Sequence, residues 1–293
     1  MSAASRNSRN ELPPALVGRV LEGFGIAAPP PINLEGLAVL YHAWCRKVPF
    51  DNLRKRIHLN SGSSRGFPGD SAEDFFDAWL RYRSGGTCWA GNGALCSLLA
   101  ALGFPARRGV ATMLARPNIP PNHGTVVVDF DGTLFIVDAS MLHAEPLRLD
   151  TAAPTAIGHP AWGVNAEKRD GHWHIRWRPL NLPSGMDCRI ESFGATPAEF
   201  SERHEATRTW GGFNFEIHAR LIRGASLLGT CNGKRVEIDA HGAVHERKVD
   251  RNEQKRVLVD ELGFAEALVE QLPPDTPTPP APGSRTAQVA ARS

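Results

Sequence analysis

Cys88 is the residue on which chemistry could turn. It lies in the stretch from Ser84 to Gly103, which reads Ser-Gly-Gly-Thr-Cys-Trp-Ala-Gly-Asn-Gly-Ala-Leu-Cys-Ser-Leu-Leu-Ala-Ala-Leu-Gly. Gly85 and Gly86 make a turn, and Leu95, Leu98, Leu99 and Leu102 then recur at helical spacing until Gly103 ends the run. The pattern sets Cys88 in the first turn of a buried helix. There, unpaired backbone N–H groups and the positive end of the helix dipole favour a thiolate, so the thiol should titrate below the value of about 8.5 for a free cysteine. The plainer alternative is a small buried side chain with no chemistry. Cys96, two turns further along among leucines, keeps that plainer reading.

A histidine and an acid complete the set. Asp131-Gly132 is a strong two-residue hairpin signal, so Phe130 should face Thr133, Thr125 should face Asp138, and His123 should face Ser140. Because side chains alternate, His123 and Asp138 then share one face a diagonal step apart. Their Cβ atoms would be separated by about 7 Å, which a carboxylate and an imidazole can bridge with a hydrogen bond. A three-residue loop would put them on opposite faces. The neighbouring residues Val126, Val127, Val128, Leu134, Phe135 and Ile136 are apolar, so a lone charge at the end of this ladder would be costly. A His–Asp pair that only ties a strand end would satisfy the pattern. So would nucleophilic thiol catalysis, in which His123 takes the proton of Cys88 and Asp138 fixes the imidazole tautomer.

The rest of the chain must bring these residues together. Apolar spacing predicts helices over Pro14 to Leu21 and Asn33 to Arg46, separated by the proline-rich Pro29 to Ile32. An extended Val48-Pro49-Phe50-Asp51-Asn52-Leu53 follows. After the Ser/Gly-rich loop from Ser61 to Gly69, Asp70 or Ser71 caps a helix that runs through Tyr82. This first third reads as all-helical. Beyond Gly103 the period changes to two. Strands are expected at Arg107 to Leu114, Thr125 to Phe130, Thr133 to Val137, Trp173 to Trp177, Cys188 to Ser192, Glu216 to Ile222 and Val236 to Ile238. Two more helices are expected, Pro197 to Thr209 behind Thr196 as cap and Asn252 to Leu262 stopped by Gly263. The domain reading is a disordered lead-in over 1–12, a helical domain over 13–103 with Cys88, a β-barrel over 104–195 with His123 and Asp138, an α/β lid over 196–272 and a disordered tail over 273–293.

Composition narrows the class of partner. The 293 residues carry 33 basic and 31 acidic side chains without a basic block, which argues against nucleic acid and for small molecules. Five scattered cysteines form neither a disulfide framework nor a zinc pattern. Met1 to Pro14 lacks an apolar secretion segment and no long apolar run occurs, so a reduced, cytoplasmic protein without a membrane partner is expected. His172 and His174 share a strand face without a supporting third ligand, and no metal is expected. His143, His159 and His218 read as surface or structural residues.

At the chemistry-bearing positions the chain resembles the arylamine N-acetyltransferase family. That family carries Pro-Phe-x-Asn, then Arg-Gly-Gly-x-Cys-x-Glu/Gln-x-Asn, then a His and an Asp fifteen residues apart. The matching residues are Pro49, Phe50 and Asn52; Gly85, Gly86, Cys88 and Asn92; and His123 with Asp138. The resemblance runs from about Leu16 to about Val244 and is most specific between Val48 and Asp138. It implies an α+β fold of N-terminal helical bundle, antiparallel β-barrel and C-terminal α/β lid around a cysteine-proteinase-like core. It further implies ping-pong transfer of an acyl group from acetyl-CoA or another acyl-CoA, through an acyl-Cys88, to a small-molecule amine, with His123 and Asp138 completing the triad. Phe50 and Trp89 would contact substrate, although by itself Trp89 reads equally well as core.

Three departures bear on the pocket. Ser84 replaces the family arginine, Ala90 replaces the Glu or Gln, and Ser140-Met141-Leu142 stands where Gly-Phe-Gly is common. They leave open a branch with a bulkier donor, such as an amide synthase working from an acyl carrier protein thioester. A transglutaminase-like cysteine hydrolase and a non-catalytic binding protein are the remaining alternatives.

Overall fold

The computed structural model describes residues 12–116, 118–282 and 284. The helical part is α1 (Pro14–Phe24), α2 (Leu34–Lys47), α3 (Leu53–Asn60), α4 (Ala72–Tyr82) and α5 (Cys88–Ala101). Local chemistry sets the starts of these helices. Asn33 caps α2 by accepting from the Gly36 N–H, and Ser71 rather than Asp70 caps α4 by accepting from the Asp74 N–H. α5 is apolar on every side and buried almost throughout, as a central helix must be.

An eight-stranded antiparallel sheet follows: β2 (Ala106–Met113), β3 (His123–Phe130), β4 (Thr133–Val137), β5 (Leu147–Leu149), β6 (Thr155–Ile157), β7 (Val164–Arg169), β8 (His172–Trp177) and β9 (Met186–Ala195). Its spatial order is β5-β4-β3-β2-β9-β8-β7-β6, and the two ends approach each other, so the sheet is a nearly closed barrel. The β3–β4 register pairs Phe130 with Thr133 and Val126 with Val137, as the two-residue Asp131-Gly132 turn requires. Both turn residues have positive φ, 51° and 85°. The same device at Asp170-Gly171 joins β7 to β8, a hairpin absent from the sequence reading because β7 carries Glu167, Lys168 and Arg169 at its outer end.

After α6 (Pro197–Glu205) a second, five-stranded sheet has the order β1-β10-β11-β12-β13, from β1 (Phe50–Asp51), β10 (Ala219–Arg223), β11 (Ser226–Cys231), β12 (Lys234–Ile238) and β13 (Val244–Lys248). The first third is therefore not all-helical, since Phe50 and Asp51 pair with Arg220 and Ala219. The chain closes with α7 (Arg251–Arg256), which continues as a π-helical turn over Val257–Glu261, and α8 (Glu266–Val269). β5, β6, β11 and β13 were not expected. β5 and β6 have three residues each, too few for a period-two signal, and all five residues of β13 are exposed.

The expected lead-in lies outside the described residues except for Leu12, which is buried. The tail is corrected at its near end: Asp275 pairs with buried Arg56 at 2.5 Å, and Thr276 N–H donates to Phe215 O at 3.0 Å. Proline-rich composition hid an anchor that depends on one acid meeting one buried cation. Residues 283 and 285–293 lie outside the described residues. Among the described residues no helix is long and apolar enough to cross a membrane.

Candidate active site

Cys88 is the first residue of α5 and is 7% exposed. Its Sγ lies 3.9 Å from the carbonyl of Asn122, the residue before His123. The thiol thus faces the end of β3. Four residues on, one turn along the same helix face, Asn92 fastens α5 to that strand end. Its Nδ2 donates to Gly124 O at 2.6 Å and to Asp138 Oδ1 at 3.4 Å, and its Oδ1 accepts from Ala139 N–H at 2.9 Å. One amide therefore ties together the elements that carry the cysteine, the histidine and the acid.

His123 and Asp138 meet on the face that the hairpin count assigns to both. Nε2 of His123 is 2.8 Å from Asp138 Oδ2, and both residues are buried. The other carboxylate oxygen, Oδ1, accepts from the N–H groups of Ser140 at 2.8 Å and Met141 at 3.0 Å. Burial by itself would raise the Asp138 carboxyl, but the charge and hydrogen bond of His123 and the Ser140 N–H hold it well below the usual carboxylate range. Burial likewise opposes the imidazolium. The Asp138 charge and hydrogen bond outweigh it, and with support from Cys88 they raise His123 to about 10. An imidazole anchored through Nε2 leaves Nδ1 as the nitrogen for the thiol.

Further groups position this centre, and of these only Asn52 is singled out in the sequence, as part of the Pro-Phe-x-Asn match. The Tyr41 hydroxyl donates to Asp138 O at 2.9 Å and accepts from Asp138 N–H at 3.1 Å, which fixes the backbone of the acid. Asn52 holds the segment before β10: its Nδ2 donates to Phe213 O at 2.8 Å and Glu216 O at 2.7 Å, and its Oδ1 accepts from His218 N–H at 2.9 Å. Arg220 donates through Nε to Ser140 O at 3.0 Å, with its guanidinium 4.3 Å over the Phe50 ring and 4.8 Å over Trp177. Buried Lys55 donates to Thr207 Oγ1 at 2.7 Å, and burial pushes its ammonium down to about 8. A polar residue among apolar neighbours was the only sequence signal for Tyr41, and Arg220 and Lys55 gave none.

The two residues expected at the substrate are both buried. Phe50 packs edge-on against Phe213 at 5.1 Å, and Trp89 packs edge-on against Phe200 at 5.1 Å in a cluster with Cys88 and Val110. Behind Trp89 a cavity of about 20 Å³ is lined by Asp70, Ala90, Arg108 and His204, room for about one water. His143 is buried, with Nδ1 on Glu145 O at 2.7 Å, and burial lowers it to about 4. Among the described residues no group of three or more His, Cys, Asp or Glu is disposed to hold a metal ion.

Residues 33–176 match the model of a family described as N-acetyltransferase. No curated protein matches the chain. Solved structures similar to the chain include the arylamine N-acetyltransferase from Mycobacterium abscessus, with 16% identity over 90% of this chain and 96% of that one and a TM-score of 0.74. The enzyme from Salmonella typhimurium gives 19% identity, coverage of 88% and 97%, and a TM-score of 0.72. That from Mycobacterium marinum, solved in complex with CoA, gives 20%, 86% and 95%, and 0.73.

Proposed function

From the premise that this chain is a divergent member of the arylamine N-acetyltransferase family and an acyltransferase, we propose that it works through an acyl-Cys88 intermediate, taking its acyl group from an acyl-CoA thioester and giving it to an amine. The observation that carries this reading is the convergence of a helix-tip thiol, an imidazole and a buried carboxylate bonded to that imidazole at 2.8 Å. Cys88 Sγ attacks the thioester carbonyl while His123 holds the thiol proton, and unpaired N–H groups at the start of α5 face the developing oxyanion, each donor being worth about 3 kcal/mol. Collapse breaks the carbon–sulfur bond to the donor, and its thiolate leaves with the proton from His123. The amine nitrogen then attacks acyl-Cys88, His123 takes its proton, and collapse releases the amide and returns the proton to the Cys88–His123 pair. Asp138 stays ionised throughout and stabilises the imidazolium. Acetyl is the proposed acyl group, and Phe50 and Trp89 are the proposed substrate contacts.

Intact mass after mixing with acetyl-CoA tests this: one acetyl should appear on Cys88 and disappear when an arylamine is added. Cys88→Ser should abolish turnover while leaving the fold intact, because the substitution is nearly isosteric. A donor panel from acetyl to long-chain and carrier-protein thioesters sets the donor size. Failure of every donor to label Cys88 would overturn the acyl-cysteine reading and favour a cysteine hydrolase.

A further inference from the structure

Ser84, which stands where the related family has an arginine, is completely buried beside an acid. Asp51, 1% exposed, accepts from the Ser84 hydroxyl at 3.1 Å, from Gly85 N–H at 2.6 Å and from Leu53 N–H at 3.0 Å. Its own N–H donates to Gly86 O at 3.2 Å. Residues 84–87 run directly into Cys88, and Thr87, the N-cap of α5, makes no side-chain capping bond. The start of the nucleophile's helix therefore lacks the usual cap, and the Asp51 carboxylate grips the turn before it instead. The grip is close, since a Cβ on Gly85 would come within 1.9 Å of Pro49 O.

We propose that Asp51 is a positioning residue whose ionised carboxylate holds the Ser84–Thr87 turn, so that protonating it slackens the start of α5 and lowers the reactivity of Cys88. The proposal rests on the acyl-cysteine reading for its consequence in catalysis. A proton on Oδ2 weakens its acceptance from the Gly85 N–H and one on Oδ1 its acceptance from the Leu53 N–H, whereas the ionised group accepts fully from all three donors at once. Burial pushes Asp51 up to about 6, against the hydrogen bonds from Leu53, Gly85 and Ser84 and the charge of Arg54, so the change falls within the working range of pH. No other charged group displaces it from this role. Arg54, on α3, is bonded to Asp74 at 2.8 Å. On β10, Ala219 pairs with Asp51, while its neighbours are His218, which burial lowers to about 4, and Arg220, which is turned to Ser140 O. On the turn side, Arg83 lies over the Trp79 ring.

The test is the rate of Cys88 alkylation by iodoacetamide between pH 4.5 and 8.5, read by intact mass, together with the carboxyl resonances of ¹³C-labelled aspartate. The wild-type rate should step down as pH falls through about 6, with one aspartate titrating in parallel. Ser84→Ala removes a hydrogen bond that favours the ionised form, so it should move both the step and the resonance upward by about one unit. Asp51→Asn should abolish both; if that variant does not fold, the Ser84→Ala shift decides. An unmoved step in folded Ser84→Ala, or no aspartate titrating near 6, would overturn the proposal. Failure of the acyl-cysteine reading is separate: Cys88 would then take no acyl group from any thioester, while its alkylation still followed Asp51.

Discussion

His123 and Asp138 each make the other's charge tolerable in a buried place. An isolated imidazolium or carboxylate there would neutralise, whereas the 2.8 Å contact and the N–H groups on Asp138 keep both ionised. The imidazolium, raised to about 10, remains protonated through neutral pH and, in the proposed transfer, would supply the proton that the leaving thiolate needs. Single-turnover acylation of Cys88 should accordingly hold its rate through neutrality and decline on the alkaline side only as pH approaches 10, while on the acid side it should step down through about 6 with Asp51. Asp138→Asn removes the charge that raises His123, so the alkaline limb should retreat towards the ordinary histidine value of about 6.5. Stopped-flow acylation across pH 5 to 10 checks this, and an unmoved limb would mean that Asp138 does not set the imidazole.

At the scale of elements, α5 meets β3 and the segment just after β4 through one side-chain amide and a glycine. Asn92→Ala leaves Gly124 O and Ala139 N–H buried without their partner, an expected loss of about 2–4 kcal/mol by urea unfolding, with acylation slowed because the thiol and imidazole lose their common tie. Gly124 is also a close approach. A Cβ there would meet Trp89 at 2.8 Å and Phe200 at 2.9 Å, so Gly124→Ala should cost about 1–3 kcal/mol and push α5 and α6 away from the strand that carries His123. Equilibrium unfolding of the two variants separates a fault in polar satisfaction from one in packing. Asn52 does for the second sheet what Asn92 does for the barrel, holding residues 213–218 against β1.

For the whole molecule, the same groups set a pH optimum of stability. His123 is raised, so its contribution is complete below about 6.5 and is lost as pH rises towards 10. Asp138 is depressed, so its contribution is present above about 4 and disappears as pH falls. His143 and His218, each lowered to about 4 by burial, contribute above about 6.5 and lose that contribution on acidification. Asp51, raised to about 6, has the opposite slope on the acid side but is one group against two histidines. The slopes meet near pH 6.5, where the melting temperature should peak, and His123→Gln should flatten the alkaline decline. Calorimetry from pH 4.5 to 9.5 reads both. The ends of the chain contribute too. Removing Asp275 leaves Arg56, with its side chain 2% exposed, without its anion, and Asp275→Asn should cost about 2 kcal/mol.

The helix that starts at Cys88 and the register that joins His123 to Asp138 were legible in the sequence because each follows from local rules, while the full order of bundle, barrel and lid came from the family resemblance. A Gly-Gly turn before an apolar helix sets the first, and a two-residue hairpin loop fixes which residues share a face. The strands β5 and β6 were not legible because three residues are too few to show a period, and the pairing of Phe50–Asp51 with β10 and the anchor at Asp275 were not because each depends on residues far apart in the chain. Asp51 shows the division clearly. Its charge is written in the sequence, but its burial against Ser84 and Gly85, and so the pH at which that charge is lost, comes only from the packing of β1 between the second sheet and the turn before Cys88.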